Sequence, residues 1–190
     1  MTLYRVFPAV QGARPREAGG PLHVARHLQG SSRHDDPARY GALYTSRSAE
    51  SAVAEALQAF RGRDIEPRHL VRTGRPLSLA EIDDSRLGPL PDLDDPAELV
   101  RRSLRPSAVA THDRSVTQPA AGAIYEEGHP GFAWWSTIEA SWSNVTLFVE
   151  RASRRLRISG TPEPLTVGHP VLVAVADRMG FVLRPAVSAR

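Results

Sequence analysis

The side chains best suited to chemistry follow one another in the first third of the chain: Arg5, Arg33, Tyr44 and Glu55. Arg5 lies between apolar residues of the segment Leu3-Tyr4-Arg5-Val6-Phe7, where a guanidinium needs an anionic partner or a route to solvent. The planar guanidinium fork matches two phosphate oxygens at once. A site built from arginines and one carboxylate therefore suits an anionic, phosphate-bearing ligand.

Periodicity by itself leaves an ordinary structural role open for each of these residues. Arg5 can pair with a nearby carboxylate such as Asp35 or Asp36. Glu55 lies on the flank of the apolar stripe of its helix, where a solvated position is common, although no basic residue stands three or four positions away to pair with it. Tyr44 can be a core aromatic residue of a strand.

The composition excludes several other kinds of site. All 24 basic side chains are Arg and the chain has no Cys, so thiolate nucleophiles, Cys-ligated metals, Schiff bases and the phosphate-binding lysine of a Walker motif are impossible. The seven His form no HxH or HExxH pair, and neither Gly-x-Ser-x-Gly nor GxGxxG occurs. We therefore predict no metal site and no prosthetic group.

The length and hydropathy are those of one folded domain. The 190 residues are 41% hydrophobic and 24% charged, with a net charge of +3, which is typical of a globular protein with a single core. No apolar run reaches the roughly 20 residues that a membrane span needs, and the N-terminus has no export signal, so we expect a cytoplasmic protein. The arginine clusters are short and separate, which disfavours the reading of the chain as a nucleic-acid binder.

The elements that position the candidate residues are a strand at 3–7 for Arg5, a strand at 41–45 for Tyr44 and a helix at 48–60, capped by Ser48, for Glu55. Residues 11–39 are predicted to form a long loop. Further along we predict a strand at 66–71, a loosely packed stretch at 76–90, a helix beginning at Pro96, a helix at 117–126 capped by Thr117, strands at 131–136, 145–149 and 156–158, a helix at 169–179 and a strand at 181–183. This alternation indicates a mixed α/β (α+β) domain.

Several ordered motifs resemble those of the RES domain, a family of bacterial toxin–antitoxin pairs named for recurring Arg, Glu and Ser. The similar segments are Leu3-Tyr4-Arg5-Val6, Gly30 to Pro37 around Arg33, Tyr40 to Ser46 followed by Ala52-Val53-Ala54-Glu55, Thr117-Gln118 with Ala121, Gly131 to Ser136, and Asn144 to Phe148. His34 stands where the family usually has an aromatic residue. The resemblance defines a motif core at 3–149 and a strand-helix-strand extension at 150–190 within a single domain at 1–190.

The resemblance implies the fold of ADP-ribosyltransferase toxins, with a curved mixed sheet, and a site that cleaves NAD⁺ as substrate. Glu55 would stabilise the oxocarbenium-like ribose that forms when the nicotinamide bond breaks. Arg5 and Arg33 would hold the pyrophosphate, and Tyr44 would stack on nicotinamide or shape its pocket. Ser136 would hydrogen-bond the substrate, with Ser141 or Ser143 as rivals for this role, and Asn144 would support the site.

The resemblance leaves the ADP-ribose acceptor open among water, inorganic phosphate and a macromolecule, which correspond to a glycohydrolase, a phosphorylase and an ADP-ribosyltransferase. We favour degradation of free NAD⁺; a non-catalytic partner-binding module of the same fold is the alternative from a different class. The family also implies an Xre-type helix-turn-helix antitoxin that covers the cleft, and a homodimer.

Overall fold

The computed structural model describes residues 1–185 and contains nine strands and six helices within that range. Residues 186–190, the end of the predicted 1–190 domain, lie outside the described residues. The strands are β1 (Thr2–Pro8), β2 (Ala42–Ser46), β3 (Asp64–Ile65), β4 (Val71–Arg72), β5 (Arg75–Asp83), β6 (Gly131–Trp135), β7 (Ser143–Phe148), β8 (Arg157–Pro164) and β9 (Val182–Leu183). The helices are α1 (Ala49–Leu57), α2 (Pro96–Arg101), α3 (Pro106–Val109), α4 (Arg114–Glu126), α5 (Val149–Ala152) and α6 (Pro170–Met179).

The main sheet has seven strands in the order β4-β5-β1-β2-β7-β6, with β8 also paired to β5. Every pairing in this sheet is antiparallel, whereas β3 and β9 form a separate parallel pair. The predicted mixed α/β fold in a single domain is confirmed. Its antiparallel pairs form the main sheet, and its parallel pair forms the small sheet.

The sheet opens between its two central strands. β1 is paired with β5 along its whole length, from Thr2 opposite Asp83 to Pro8 opposite Leu77. Within the described residues it meets β2 at one register pair, Tyr4 opposite Ser46. From that junction β1 and β2 diverge, and the gap between them becomes one wall of the candidate site.

Apolar clusters hold the helices against the sheet on either side of this opening. One cluster joins α1 and α6 through residues such as Val53, Leu57 and Leu172. Another packs α4 against β6 and β7, with Ile124, Phe132 and Phe148 at its centre. The helices therefore bury their apolar stripes, and α1 also contributes side chains to the opening.

Helix α1 begins as the sequence predicts. The Ser48 side chain caps it by accepting a hydrogen bond from the Ser51 amide at 3.1 Å. The regular helix ends at Leu57 and a 3-10 turn continues to Phe60. This places Glu55 in the last full turn of the helix.

Two predictions about the middle of the chain are wrong. The predicted strand at 66–71 is a 3-10 turn (Pro67–Leu70), because Glu66 and His69 cap each other's backbone around Pro67, and only Val71–Arg72 is a strand. The predicted loosely packed stretch at 76–90 contains β5, a long strand of the main sheet. Its residues at 77–80 are all buried, which removes the polar alternation that marks a half-exposed strand.

The predicted start of the helix at 117–126 is also wrong. Helix α4 begins three residues earlier, where the carboxylate of Asp113 accepts a hydrogen bond from the Ser115 amide at 2.9 Å. The Thr117 hydroxyl, predicted to be the cap, instead donates to the backbone carbonyl of Arg33. This contact ties α4 to the loop that carries Arg33.

The remaining predicted elements match the structure within a few residues. The helix predicted to begin at Pro96 is α2, and the helix predicted at 169–179 is α6, with His169 as its cap. The strand predicted at 156–158 extends to Pro164 as β8. Within residues 1–185, none of the helices has the length and apolarity that crossing a membrane requires.

Candidate functional site

A cavity of about 950 Å³ opens where β1 and β2 separate. It is bounded by these two strands, by α1, by the loop that precedes β2 and by the turn between β4 and β5. We call it the central cavity. Its charged lining within the described residues consists of several cationic side chains and one carboxylate: Arg5, Arg33, Arg72, Arg75, Arg114 and Glu55.

Glu55 reaches the central cavity from the last turn of α1. Its Oε1 atom accepts two hydrogen bonds, from the Ser136 hydroxyl at 2.7 Å and from the Asn144 side-chain amide at 2.8 Å. Both donors come from strands or strand ends far away in the sequence. The carboxylate is therefore held by one oxygen, and its position is set by the sheet as well as by the helix.

Ser136 directly follows β6 and is buried, with 1% of its surface exposed. Its hydroxyl donates to Glu55 and accepts a hydrogen bond from the Ile138 amide at 3.0 Å. The rival Ser141 is bonded to Glu139 instead. Of the three candidate serines, Ser136 is the one whose hydroxyl contacts Glu55.

Asn144 lies in β7, and its side-chain amide is fixed at both ends. Its Nδ2 group donates to Glu55, and its Oδ1 atom accepts from the Ser46 hydroxyl at 2.6 Å and from the Ser51 hydroxyl at 2.8 Å. Ser46 and Ser51 are not among the site residues that the sequence predicts. The signal was available in their spacing: Ser46 lies two residues after Tyr44, on the same face of β2, and Ser51 lies one helical turn before Glu55.

Arg5 lines the central cavity from β1, and the alternative of a pairing with Asp35 or Asp36 does not occur in the structure. Its Nη1 atom donates to the backbone carbonyls of Pro21 at 2.5 Å and His23 at 3.0 Å. Burial lowers the pKa of Arg5 to about 10, so the guanidinium keeps its charge at neutral pH. Arg5 thus fastens the long loop to the sheet and places a positive charge beside the cavity.

Arg33 approaches the central cavity from the opposite side. Its Nη2 atom donates to the Val109 carbonyl, and its guanidinium carbon lies 4.6 Å from the ring centroid of Trp134. Burial lowers the pKa of Arg33, and the nearby charge of Glu55 opposes part of this shift. Its Nε atom is buried and has no hydrogen-bond partner within the described residues.

Tyr44 forms part of the cavity wall in β2 and is fixed through its hydroxyl. That hydroxyl donates to Asp35 Oδ1 at 2.8 Å and accepts from the His34 amide at 3.0 Å. Burial and the neighbouring Asp35 carboxylate raise the pKa of Tyr44, which keeps it neutral. Tyr44 can therefore offer a ligand its aromatic ring in a fixed orientation.

The structure brings five of the six predicted site residues to the lining of one cavity: Arg5, Arg33, Tyr44, Glu55 and Asn144. The sixth, Ser136, lies behind Glu55 and contacts it directly. Within residues 1–185, no three His, Asp or Glu side chains are grouped closely enough to hold a metal ion. The arrangement is suited to binding an anionic ligand beside one fixed carboxylate.

Most of the chain is similar to one known protein family. The model of the RES domain matches residues 2–167. The chain belongs to the RES domain family. The family region contains every predicted site residue and ends before α6, so the helix that packs against α1 lies outside it.

The fold of this RES domain is also similar to a solved structure. A crystal structure described as the Mycobacterium tuberculosis MbcT–MbcA toxin–antitoxin complex matches with a TM-score of 0.64 and 20% sequence identity. The match covers 94% of this chain and 88% of the chain in that structure. Among curated protein sequences, none is significantly similar to this RES domain.

Proposed function

We propose that this RES domain is a toxin-like enzyme that consumes NAD⁺ by cleaving the bond between nicotinamide and ribose. The observation that carries the proposal is the environment of Glu55. Within the described residues it is the one carboxylate in the cavity wall, held at Oε1 by Ser136 and Asn144, and the other charged side chains of the lining are arginines. NAD⁺ matches this pattern because it combines an anionic pyrophosphate with a ribose that becomes positively charged as the bond breaks.

In the proposed reaction the electron pair of the C1′–N bond leaves with the nicotinamide nitrogen. Positive charge develops on the ribose, and the Glu55 carboxylate stabilises it at short range. An oxygen atom of the acceptor then bonds to C1′. With water as acceptor the products are nicotinamide, ADP-ribose and a proton released to solvent; with inorganic phosphate the second product is a phosphorylated ADP-ribose.

The other residues bind and orient the substrate in this proposal. Arg5 and Arg33 hold the pyrophosphate from opposite sides of the central cavity, and Tyr44 packs against the nicotinamide ring. Ser136 is assigned to holding Glu55 rather than to the direct substrate contact expected from the family resemblance, because its hydroxyl is buried and already bonded to the carboxylate. Asn144 shares this supporting role.

The decisive experiment measures nicotinamide release from NAD⁺ by chromatography, with and without phosphate, for three proteins: the wild type, Glu55→Gln and Glu50→Gln. Glu50 is the matched control, because it lies on the same helix but does not line the central cavity. We expect Glu55→Gln to lower kcat about 10²- to 10³-fold, as the loss of one preorganised electrostatic group does, and Glu50→Gln to match the wild type.

The product identifies the acceptor: ADP-ribose indicates water, a phosphorylated ADP-ribose indicates phosphate, and label from adenine-labelled NAD⁺ on a macromolecule indicates transfer. Failure of the wild type to release nicotinamide, or equal activity of the two glutamate variants, contradicts the catalytic proposal. Binding of NAD⁺ without turnover supports the alternative of a non-catalytic module.

The proposal includes a protein partner and a cellular location. The similar fold in the MbcT–MbcA structure comes from a toxin–antitoxin complex, which supports a cognate antitoxin for this chain. We expect that antitoxin to be of the Xre helix-turn-helix type, to cover the central cavity and to act in the cytoplasm, with the toxin as a homodimer. The candidate antitoxin for the test is the product of the gene next to the one that encodes this chain. Adding it in equimolar amount should abolish nicotinamide release.

A further inference from the structure

A chain of buried hydrogen bonds leads from two serines through Asn144 to Glu55. Ser46, in β2, and Ser51, in α1, both donate to Asn144 Oδ1, and Asn144 Nδ2 donates to Glu55 Oε1. Asn144 and Ser46 are 1% and 3% exposed, and Ser51 is fully buried. The network therefore joins two strands and the helix behind the wall of the central cavity.

The chemistry of the partners fixes the direction of every hydrogen bond in this chain. An ionised carboxylate only accepts hydrogen bonds, so the atom of Asn144 that faces Glu55 must be the NH₂ group. The amide oxygen then faces the two serines, and both hydroxyls must donate to it. Hydrogen bonds aligned head to tail in a buried site strengthen one another.

From this geometry we infer that Ser46 and Ser51 are positioning residues that hold the Asn144 amide in the one orientation that fixes Glu55 for catalysis. The inference rests on the proposed function of Glu55. Neither hydroxyl touches Glu55, so both act through Asn144. With Oε1 occupied by Asn144 and Ser136, the second carboxylate oxygen, Oε2, is the one left for the substrate.

Removing the two hydroxyls leaves the buried Asn144 Oδ1 without its donors. A buried acceptor without a donor carries a free-energy cost. This cost favours rotation of the amide or a hydrogen bond from another donor. In either case Glu55 loses a fixed partner and is held by Ser136 alone. A carboxylate displaced by a fraction of an ångström still permits substrate to bind, but it stabilises the reacting ribose less well.

The kinetic test compares Ser46→Ala, Ser51→Ala and the double variant with Ser48→Ala. Ser48 is the matched control, because it caps the same helix α1 but has no hydrogen bond to Asn144 or Glu55. We expect the double variant to lower kcat for nicotinamide release about 10- to 100-fold, with KM within about twofold of the wild type, which indicates lost positioning rather than lost binding. Ser48→Ala should lower Tm but leave kcat unchanged, and an equal loss of kcat in Ser48→Ala and the double variant overturns the inference.

A second measurement reads the amide directly and does not depend on activity. The side-chain NH₂ signals of Asn144 can be identified in the ¹H–¹⁵N spectrum by their absence from Asn144→Asp, and their hydrogen exchange can be followed in each variant. We expect exchange at least 10-fold faster in the double variant than in Ser48→Ala. Unchanged exchange in the double variant contradicts the inference. A wild type that releases no nicotinamide contradicts the proposed function instead, and the exchange rates then decide on the positioning role alone.

Discussion

His34 is a buried residue next to the site but outside the lining of the central cavity. Its ring packs edge-on against Phe132 and Trp134, with centroids 4.9 and 5.1 Å away. Trp134 donates to the Thr146 hydroxyl at 3.0 Å, and the same hydroxyl is hydrogen-bonded to His34 Nδ1 at 2.8 Å. Burial, with the neighbouring Arg33 charge, lowers the pKa of His34 from 6.5 to about 3.

This pKa predicts how stability depends on pH. Below about pH 6.5 the unfolded chain binds a proton at His34 that the folded chain does not bind until about pH 3. Lowering the pH through this window therefore favours unfolding, by up to ~1.4 kcal/mol per pH unit from this group. Above pH 6.5 the residue is neutral in both states and contributes no pH dependence.

Urea unfolding between pH 4 and 7.5 can test this with His34→Phe, which fits an aromatic site and cannot titrate. We expect the slope of the unfolding free energy against pH to be smaller in His34→Phe than in the wild type, by up to ~1.4 kcal/mol per pH unit. His27→Gln, at an exposed position, is the control. Its slope of unfolding free energy against pH should remain close to that of the wild type. Equal slopes for the wild type and His34→Phe contradict the assignment of a neutral buried imidazole.

At the scale of secondary-structure elements, α6 packs against α1, the helix that carries Glu55, from outside the family region. It begins after residue 167, where the RES match ends, and packs against α1. Leu172 and Val175 on its inner face are fully or almost fully buried, next to Val53 and Leu57 of α1. The position of Glu55 thus depends on a helix that carries none of the site residues.

The prediction at this scale concerns Leu172. We expect Leu172→Ala to reduce the free energy of unfolding by about 2–5 kcal/mol, because it leaves a cavity between α6 and α1. Val173, the next residue, is 51% exposed, and Val173→Ala should change stability by no more than about 0.5 kcal/mol. Urea denaturation of both variants measures the difference, and equal values would show that α6 does not support α1.

At the scale of the whole molecule, the net charge of +3 is small, but its distribution around the central cavity is uneven. Five arginines and a single glutamate line the cavity within the described residues. The excess of positive charge arises because β1, the loop before β2, the β4–β5 hairpin and α4 each contribute arginines to the same opening. A cavity of this kind attracts anionic ligands more strongly than the overall charge indicates.

This distribution predicts a salt dependence for NAD⁺ binding. Titration calorimetry with Glu55→Gln, in which turnover is expected to be slow, should show the Kd for NAD⁺ rising about 3- to 10-fold between 50 and 500 mM salt, because ions screen the partly exposed arginines. Binding of nicotinamide, which has no phosphate, should not change. An NAD⁺ affinity that is independent of salt contradicts pyrophosphate binding by these arginines.

Local sequence patterns were sufficient to predict α1, the strands that carry Arg5 and Tyr44, and the fold class. Apolar spacing, a serine cap and strand-forming residues act over a few positions, so the sequence determines them directly. The same patterns failed for β5. Residues 77–80 of β5 are buried on both faces of the sheet, so no polar alternation reveals the strand. Its place in the sheet depends on its pairing with β1 and β8.

The sequence by itself predicted the chemical groups of the site: arginines, one carboxylate and an aromatic ring, with no Lys or Cys in the chain. Only the tertiary structure decided which atoms meet. Ser136 and Asn144 reach Glu55 from positions 81 and 89 residues away, and the partners of Arg5 are backbone carbonyls rather than Asp35 or Asp36. Such contacts depend on strand order and register, and a shift of one residue would turn Asn144 to the other face of the sheet, away from Glu55.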